Sequence, residues 1–163
     1  MRKLFLIFLF LPIFILYACG VPSEANLGTP ENDRKKSNHE FREINQLVVD
    51  NENVKITILN MKKNKEQSKQ TVTITFDILN KRKDTMKIQA QRLSVDDRMV
   101  DEAIYQLEQE ISPKKAATVK LVIQQLDDIE FPEFKNDLEM ELYILSLDDP
   151  NYVENHHVKI IYE

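Results

Sequence analysis

Few residues in this chain are of a type that does covalent chemistry, and those few lie far apart. There is one cysteine, Cys19, and there are three histidines, His39, His156 and His157. A lone thiol is a nucleophile or an attachment point, since it has no second cysteine to pair with. Adjacent side chains of a strand point to opposite faces, so His156 and His157 cannot serve one site. Carboxylates fall into three groups: Asp96, Asp97, Asp101 and Glu102; Asp127, Asp128 and Glu130; and Asp148 and Asp149. Calcium takes about six to eight oxygens, and no group has the alternating acidic spacing with a central glycine that builds a calcium loop. These groups read first as solvated turns; a calcium site and a paired-carboxylate glycosidase are the remaining readings.

Glycine sets a stronger limit. The two present are Gly20 and Gly28, so residues 46–163 contain none. A phosphate-cradling loop, a dinucleotide fingerprint and a nucleophile elbow each need glycine where the backbone turns sharply or meets a ligand. Those enzyme classes are excluded. Cysteine catalysis goes with them, because Cys19 sits at the end of the first apolar run. No catalytic, cofactor-binding or metal-ligating residue is assigned, no cofactor is expected, and the chain reads as a non-enzyme.

At 163 residues there is room for one ordinary domain with accessory segments. Only 8% of residues are aromatic and none is Trp, which argues against a carbohydrate-stacking platform. The formal charge is -5. Two of the 22 basic residues, Arg2 and Lys3, lie in the N-terminal segment, so the remainder sets 20 basic against 27 acidic residues, or -7. An acidic body repels nucleic acid, and the short cluster Arg34, Lys35 and Lys36 is no footprint for it. No nucleic-acid partner is expected.

Residues 1–18 read as a secretory signal peptide: Arg2 and Lys3 make a positive start, and 4–16 is a 13-residue run of apolar residues and Pro12. That is too short for a bilayer core, which takes about 20 residues of helix. The run ends in Leu16, Tyr17, Ala18, Cys19, which resembles the lipobox of bacterial lipoproteins. Leu16, Ala18 and Cys19 meet the pattern, whereas Tyr17 is bulkier than that family usually carries. The resemblance implies cleavage between Ala18 and Cys19, a diacylglyceryl group on the Cys19 sulfur, and a lipid anchor at the outer face of the cell membrane. Two acyl chains anchor stably where one does not. Two other fates compete. An ordinary signal peptidase would use Ala18 and Gly20 and release the protein, and an uncleaved leader would serve as an N-terminal anchor.

Residues 19–45 follow as a lipidated N-terminus and tether, rich in Pro, Asn, Glu, Ser and Lys and expected to be disordered. Phe41, Ile44 and Leu47, three apart, offer a short helix over 39–47 as the alternative. From 46 the dominant period is two, the mark of half-buried strands. Val72, Ile74, Phe76 and Ile78 alternate with Thr71, Thr73, Thr75 and Asp77. The same alternation marks strands at 54–58, 86–90, 119–123, 138–144 and 158–162. Turn residues separate them at 80–84, 112–115 and 148–151. Leu93 and Val95 are out of phase with Met86, Ile88 and Ala90, which predicts a bulge near Gln91 and Arg92. Residues 98–111 admit a helix, through Val100, Ile104, Leu107 and Ile111, or a short strand over 103–107; the strand is preferred.

The sequence "FDILNKRKDT" and the later "ISPKKAATVKLVI" resemble the small immunoglobulin-like domains of Gram-positive surface lipoproteins, with Asn80 closing one strand and Pro113 leading a turn into another. The resemblance implies an all-β, immunoglobulin-like antiparallel sandwich of about seven strands over 46–163. It carries no functional residue. Those domains commonly place glycine after the proline, where this chain has Lys114, Lys115 and Ala116.

The functional expectation is a lipid-anchored surface protein held to the membrane through Cys19, its sandwich a non-catalytic binding or accessory module for another envelope protein. The alternatives are an immunity or exclusion lipoprotein of a mobile element, and an envelope protein that binds a small ligand or calcium. Glu139, Glu141 and Tyr143 stand out as a possible acidic edge with one aromatic anchor.

Overall fold

The structure is a computed structural model that describes residues 38–66 and 69–162. Cys19 and Ala18, the signal peptide and the first part of the tether lie outside them. Among the described residues no helix is long and apolar enough to cross a membrane.

Period-two alternation becomes two antiparallel sheets. The first joins β1 (Asn38–Asp50), β2 (Val54–Glu66), β3 (Lys69–Asn80), β8 (Ala116–Gln124) and β6 (Tyr105–Gln106), in that order. The second joins β10 (Val153–Ile161), β9 (Asp137–Ser146), β4 (Met86–Val95) and β5 (Arg98–Met99), with β7 (Glu108–Ile111) also on β4. The order β2-β3-β8-β6 facing β10-β9-β4 is the ABED and GFC arrangement of the immunoglobulin sandwich. The inward-facing side chains of both sheets form the core. Ile56, Ile74, Phe76 and Leu121 from one sheet and Ile88, Leu93, Leu142 and Ile144 from the other are fully buried.

The expected strands at 54–58, 71–78, 86–90, 119–123 and 138–144 lie within β2, β3, β4, β8 and β9, and that at 158–162 coincides with the end of β10 up to Ile161. The bulge is present as well. Pairing of β4 with β9 shifts between Gln91 and Ser94, and Arg92 takes a left-handed φ of 53°.

Two segments differ from expectation. The sandwich takes in residues 38–45, because β1 pairs with β2 from Asn38 onward. Its alternation is hidden by register shifts at Glu43/Gln46 and Leu47/Val49, with Asn45 at φ 52°. Each shift puts one extra residue on β1 and flips the facing of the residues after it. Of the triplet read as a helix stripe, only Ile44 packs on the core, while Phe41 and Leu47 are exposed.

Residues 98–111 are not a helix, and the preferred strand over 103–107 is present in part, as β6 paired with β8. Asp96 and Asp97, at φ 50° and 63°, turn the chain into β5. Asp101 then caps one 3-10 turn, Glu102–Ile104, by accepting from Ala103 N at 2.8 Å. β6 crosses to the first sheet and β7 returns to the second. Val100, Ile104, Leu107 and Ile111 are all buried. Their helix-like spacing comes from a chain that changes sheets every few residues.

Candidate functional site

The inward positions of the strands stay apolar until one end of the sandwich. There the phase continues but the residues become polar. Val158 and Ile160 of β10 are joined inward by His156 and Glu154, Leu142 and Ile144 of β9 by Ser146, and Phe76 and Ile78 of β3 by Asn80. Glu154, with its side chain 17% exposed, is the centre of this lattice. It accepts from Asn51 Nδ2 at 3.0 Å and Asn53 Nδ2 at 2.6 Å, both in the β1–β2 turn, and from Tyr152 Oη at 2.6 Å. His156 Nε2 lies 2.9 Å from Glu154 Oε2. Burial works against the charge, but the donors from Tyr152, Asn51, Asn53 and His156 outweigh it and hold the carboxyl at about 2. Burial and the bond to Glu154 push the Tyr152 phenol well above its ordinary value.

Arg82 stacks its guanidinium 3.5 Å from the centre of the Tyr152 ring. Its Nε and Nη2 donate to the two oxygens of Asp84 at 2.7 Å each. This fork, together with the Ser146 hydroxyl, holds Asp84 at about 2. Ser146 Oγ in turn accepts from the backbone N–H of Asp148 and Asp149. Asn80 is fully buried. Its Nδ2 donates to Asp84 O and Ile111 O at 2.9 Å and to Ser112 O at 3.3 Å, while Oδ1 accepts from Arg82 N at 2.8 Å. The turn led by Pro113 docks here, with Lys114 in the left-handed region at φ 60°. A carboxylate saturated by donors and held near 2 is a poor proton acceptor at neutral pH, and a phenol held above its usual value is a poor donor. This lattice is built to hold loops together.

The opposite end is open. A cleft of about 610 Å³ runs between the β4–β5 turn and the β8–β9 loop, with Val100, Met99, Ile129 and Phe131 among its walls. Met99 is 68% exposed. The carboxylates around it are engaged. Asp96 accepts from the N–H of Lys135, Asn136 and Asp137 at 2.8, 2.6 and 3.1 Å, which outweighs its burial and lowers its pKa. Asp101 caps the 3-10 turn, Glu130 faces Arg98, and Glu133 pairs with Lys135. What the cleft offers is apolar surface inside an acidic rim whose carboxylates each have a partner. Phe131 also packs on Phe134, and Phe134 on Tyr162, under Lys63. β1 starts at this same end, with Asn38 opposite Lys65 near the end of β2.

The residues singled out from sequence are dispersed. His156 faces inward to Glu154, and His157 faces outward to Glu141 at 3.4 Å, so the two imidazoles do lie on opposite faces. Asp149 caps the β9–β10 turn by accepting from Asn151 N, and Asp148 accepts from Thr85 N just before β4. Asp127 and Asp128 are exposed in the β8–β9 loop. Among the described residues no group of three or more His, Cys, Asp or Glu is arranged to hold a metal ion. Glu139, Glu141 and Tyr143 form no edge: β9 lies between β10 and β4, and Glu139 is paired with Lys159 at 2.6 Å. Sequence reasoning missed Glu154, Tyr152, Arg82 and the pair Asn51 and Asn53. The signal was in β10, where the inward phase of Ile160 and Val158 runs on into His156 and Glu154.

No family model matches this chain, and no curated protein matches it. Among solved structures it is similar to a FixG-related protein from Vibrio parahaemolyticus, at 10% identity and a TM-score of 0.39, covering 71% of this chain and 99% of that one. It is similar also to a conserved hypothetical protein from Bacillus anthracis, at 11% identity and a TM-score of 0.40, covering 72% and 96%. A third is the ASH / PapD-like domain 7 of human CEP192, at 11% identity and a TM-score of 0.35, covering 87% and 95%. Overlaps this loose say nothing of what the chain binds; the immunoglobulin-like sandwich rests on its own strand order.

Proposed function

We propose that this is a lipid-anchored envelope protein, held at the outer face of the membrane through Cys19, whose sandwich is a non-catalytic binding module for another envelope protein. The anchor rests on Leu16, Ala18 and Cys19. The single observation that carries the binding role is the contrast between the saturated lattice and the open cleft. Reactive groups are consumed where they cluster, and the surface left unsatisfied is apolar. Met99 and Phe131 are the anchors, of the kind that fill a partner's pockets at an interface. A small charged ligand would need free polar groups converging on the cleft, and its carboxylates are already paired.

Two measurements test this. Intact mass of the protein extracted from membranes should give a chain starting at Cys19 and heavier by a diacylglyceryl group, with Cys19→Ser left unprocessed or shed. An unmodified chain in the medium overturns the anchor. Crosslinking in intact cells should capture a discrete partner that Met99→Asp loses and Tyr143→Ala keeps. Equal capture by wild type and Met99→Asp overturns the cleft.

A further inference from the structure

The long edges of this sandwich are treated unequally. β1 forms one, and its two bulges, with Asn45 at φ 52°, break its regularity. Bulges and short strands are how proteins keep exposed edges from pairing with other chains. β5 and β6 are two residues long and β7 four. β10 is neither short nor bulged, and its guards are Lys159 and a single bond from Gln46 of β1. Its nine residues run against β9 without a register shift, include no proline, and end the sheet.

Hydrogen bonds show which of its backbone groups are free to pair. Ser146 N donates to Tyr152 O at 3.4 Å, and Tyr162 N donates to Asn136 O at 2.8 Å, so the even-numbered residues bond toward β9. In an antiparallel ladder the alternate residues then turn N–H and C=O the other way. Lys159 O accepts there from Gln46 Nε2 at 3.3 Å. Val153, Asn155, His157, Lys159 and Ile161 thus offer one row of donors and acceptors along the edge.

We propose that this edge pairs with the same edge of a second copy, antiparallel about a two-fold axis through His157. The side chains select that register. It sets Val153, 52% exposed, opposite the second copy's Ile161, 57% exposed, at both ends of the pairing. Asn155 meets the second copy's Lys159, and His157 meets itself. An axis through Lys159 opposes two ammonium groups, which destabilises a cross-strand pair. An axis through Asn155 leaves Lys159 and Ile161 beyond the paired length. Only the His157 axis uses all five outward residues, burying the two exposed apolar side chains of β10 against each other. Gln46 releases Lys159 O as the second strand arrives. The contact is isologous and closes on itself, giving a dimer and no filament.

The test is disulfide trapping of the full chain in its own membranes. Directly opposed residues of a hydrogen-bonded antiparallel pair have Cα atoms about 5.5 Å apart, within the reach of a disulfide. Under mild copper–phenanthroline oxidation, His157→Cys should trap most of the protein as a dimer. The wild type, with Cys19 alone, and Lys120→Cys, on the outer face of β8, should stay at background. Asn155→Pro in the His157→Cys background removes an outward N–H without taking a bond from β9, and should slow trapping at least tenfold. Asn155→Lys leaves the backbone intact, places like charge opposite the second copy's Lys159, and should slow it several-fold. Trapping of His157→Cys no faster than Lys120→Cys overturns the proposal, as does trapping that neither Asn155 variant slows. Loss of partner capture by Met99→Asp is read separately, so this pairing and the cleft stand or fall independently.

Discussion

At one end of the sandwich Glu154 gathers hydrogen bonds from four side chains and Asn80 ties three backbone carbonyls together. At the other, Met99 stands largely exposed over a cleft of about 610 Å³. Both ends are made of loops between the same strands, and both contain carboxylates. They differ in where the donors come from. The lattice draws side chains from both sheets onto Glu154 and Asp84, so each bond adds to the closure of the sandwich. At the cleft the carboxylates accept from nearby backbone, as Asp96 does, or from neighbours such as Lys135, and apolar side chains are left facing out. Side-chain hydrogen bonding between loops is concentrated at one end, and exposed apolar surface is left at the other.

The largest break in this contrast is expected from Asn80→Ala. It strips acceptors and a donor of their buried partner, and an unsatisfied buried polar group costs about 1 to 3 kcal/mol. Urea unfolding should show a loss on the order of 3 kcal/mol, with the midpoint falling and the slope unchanged. Glu154→Gln keeps the shape but removes the charge its donors serve. A loss of about 2 kcal/mol is expected, since bonds to charged groups are worth about 1.5 to 3 kcal/mol.

The same variant sharpens the comparison through pH. Glu154 and Asp84 titrate at about 2 in the folded protein, against roughly 4 in an unfolded chain. Their contribution is therefore complete above about pH 4 and is lost as pH falls toward 2. Melting temperature followed across that window should drop steeply for the wild type and less steeply for Glu154→Gln. A parallel drop in the two would take Glu154 out of the lattice's acid response.

Smaller effects belong to the cleft. Asp96→Ala frees three backbone N–H groups and removes a residue suited to φ 50°, for a loss of about 1 kcal/mol, because solvent satisfies part of what is freed. Met99→Ser should change stability by less than about 0.5 kcal/mol, as exposed substitutions do, while abolishing partner capture. Destabilisation by Met99→Ser comparable to that of Asn80→Ala would erase the distinction between the two ends.

The sandwich itself was legible because period two is a local property. Val72, Ile74, Phe76 and Ile78 need no knowledge of their neighbours to announce a half-buried strand, and the phase break at Leu93 announced the bulge. β1 was not legible. Its two register shifts make its inward residues, Ile44, Val48 and Val49, fall at irregular intervals. Residues 98–111 misled for a related reason: spacings of three and four arise in a helix and equally in a chain that crosses between sheets. Asn80 and the turn led by Pro113 were legible as closing elements. That Asn80 reaches both its own loop and Ile111 was not, since those partners come together only when the sheets pack.

The sequence alone determined the alternating strands, the absence of glycine from 46–163, and the motif around Cys19, because each depends on residue type or on spacing within a few positions. Tertiary structure decided which polar residues are spent and which surfaces are left open. Tyr152, Arg82 and Asn53 come from three separate turns and Glu154 from the start of β10, and they bond to one another only because two twisted sheets close on them. The same packing left the nine-residue edge of β10 without a partner strand, met by β1 only through Gln46 at Lys159 O, and left Met99 largely exposed.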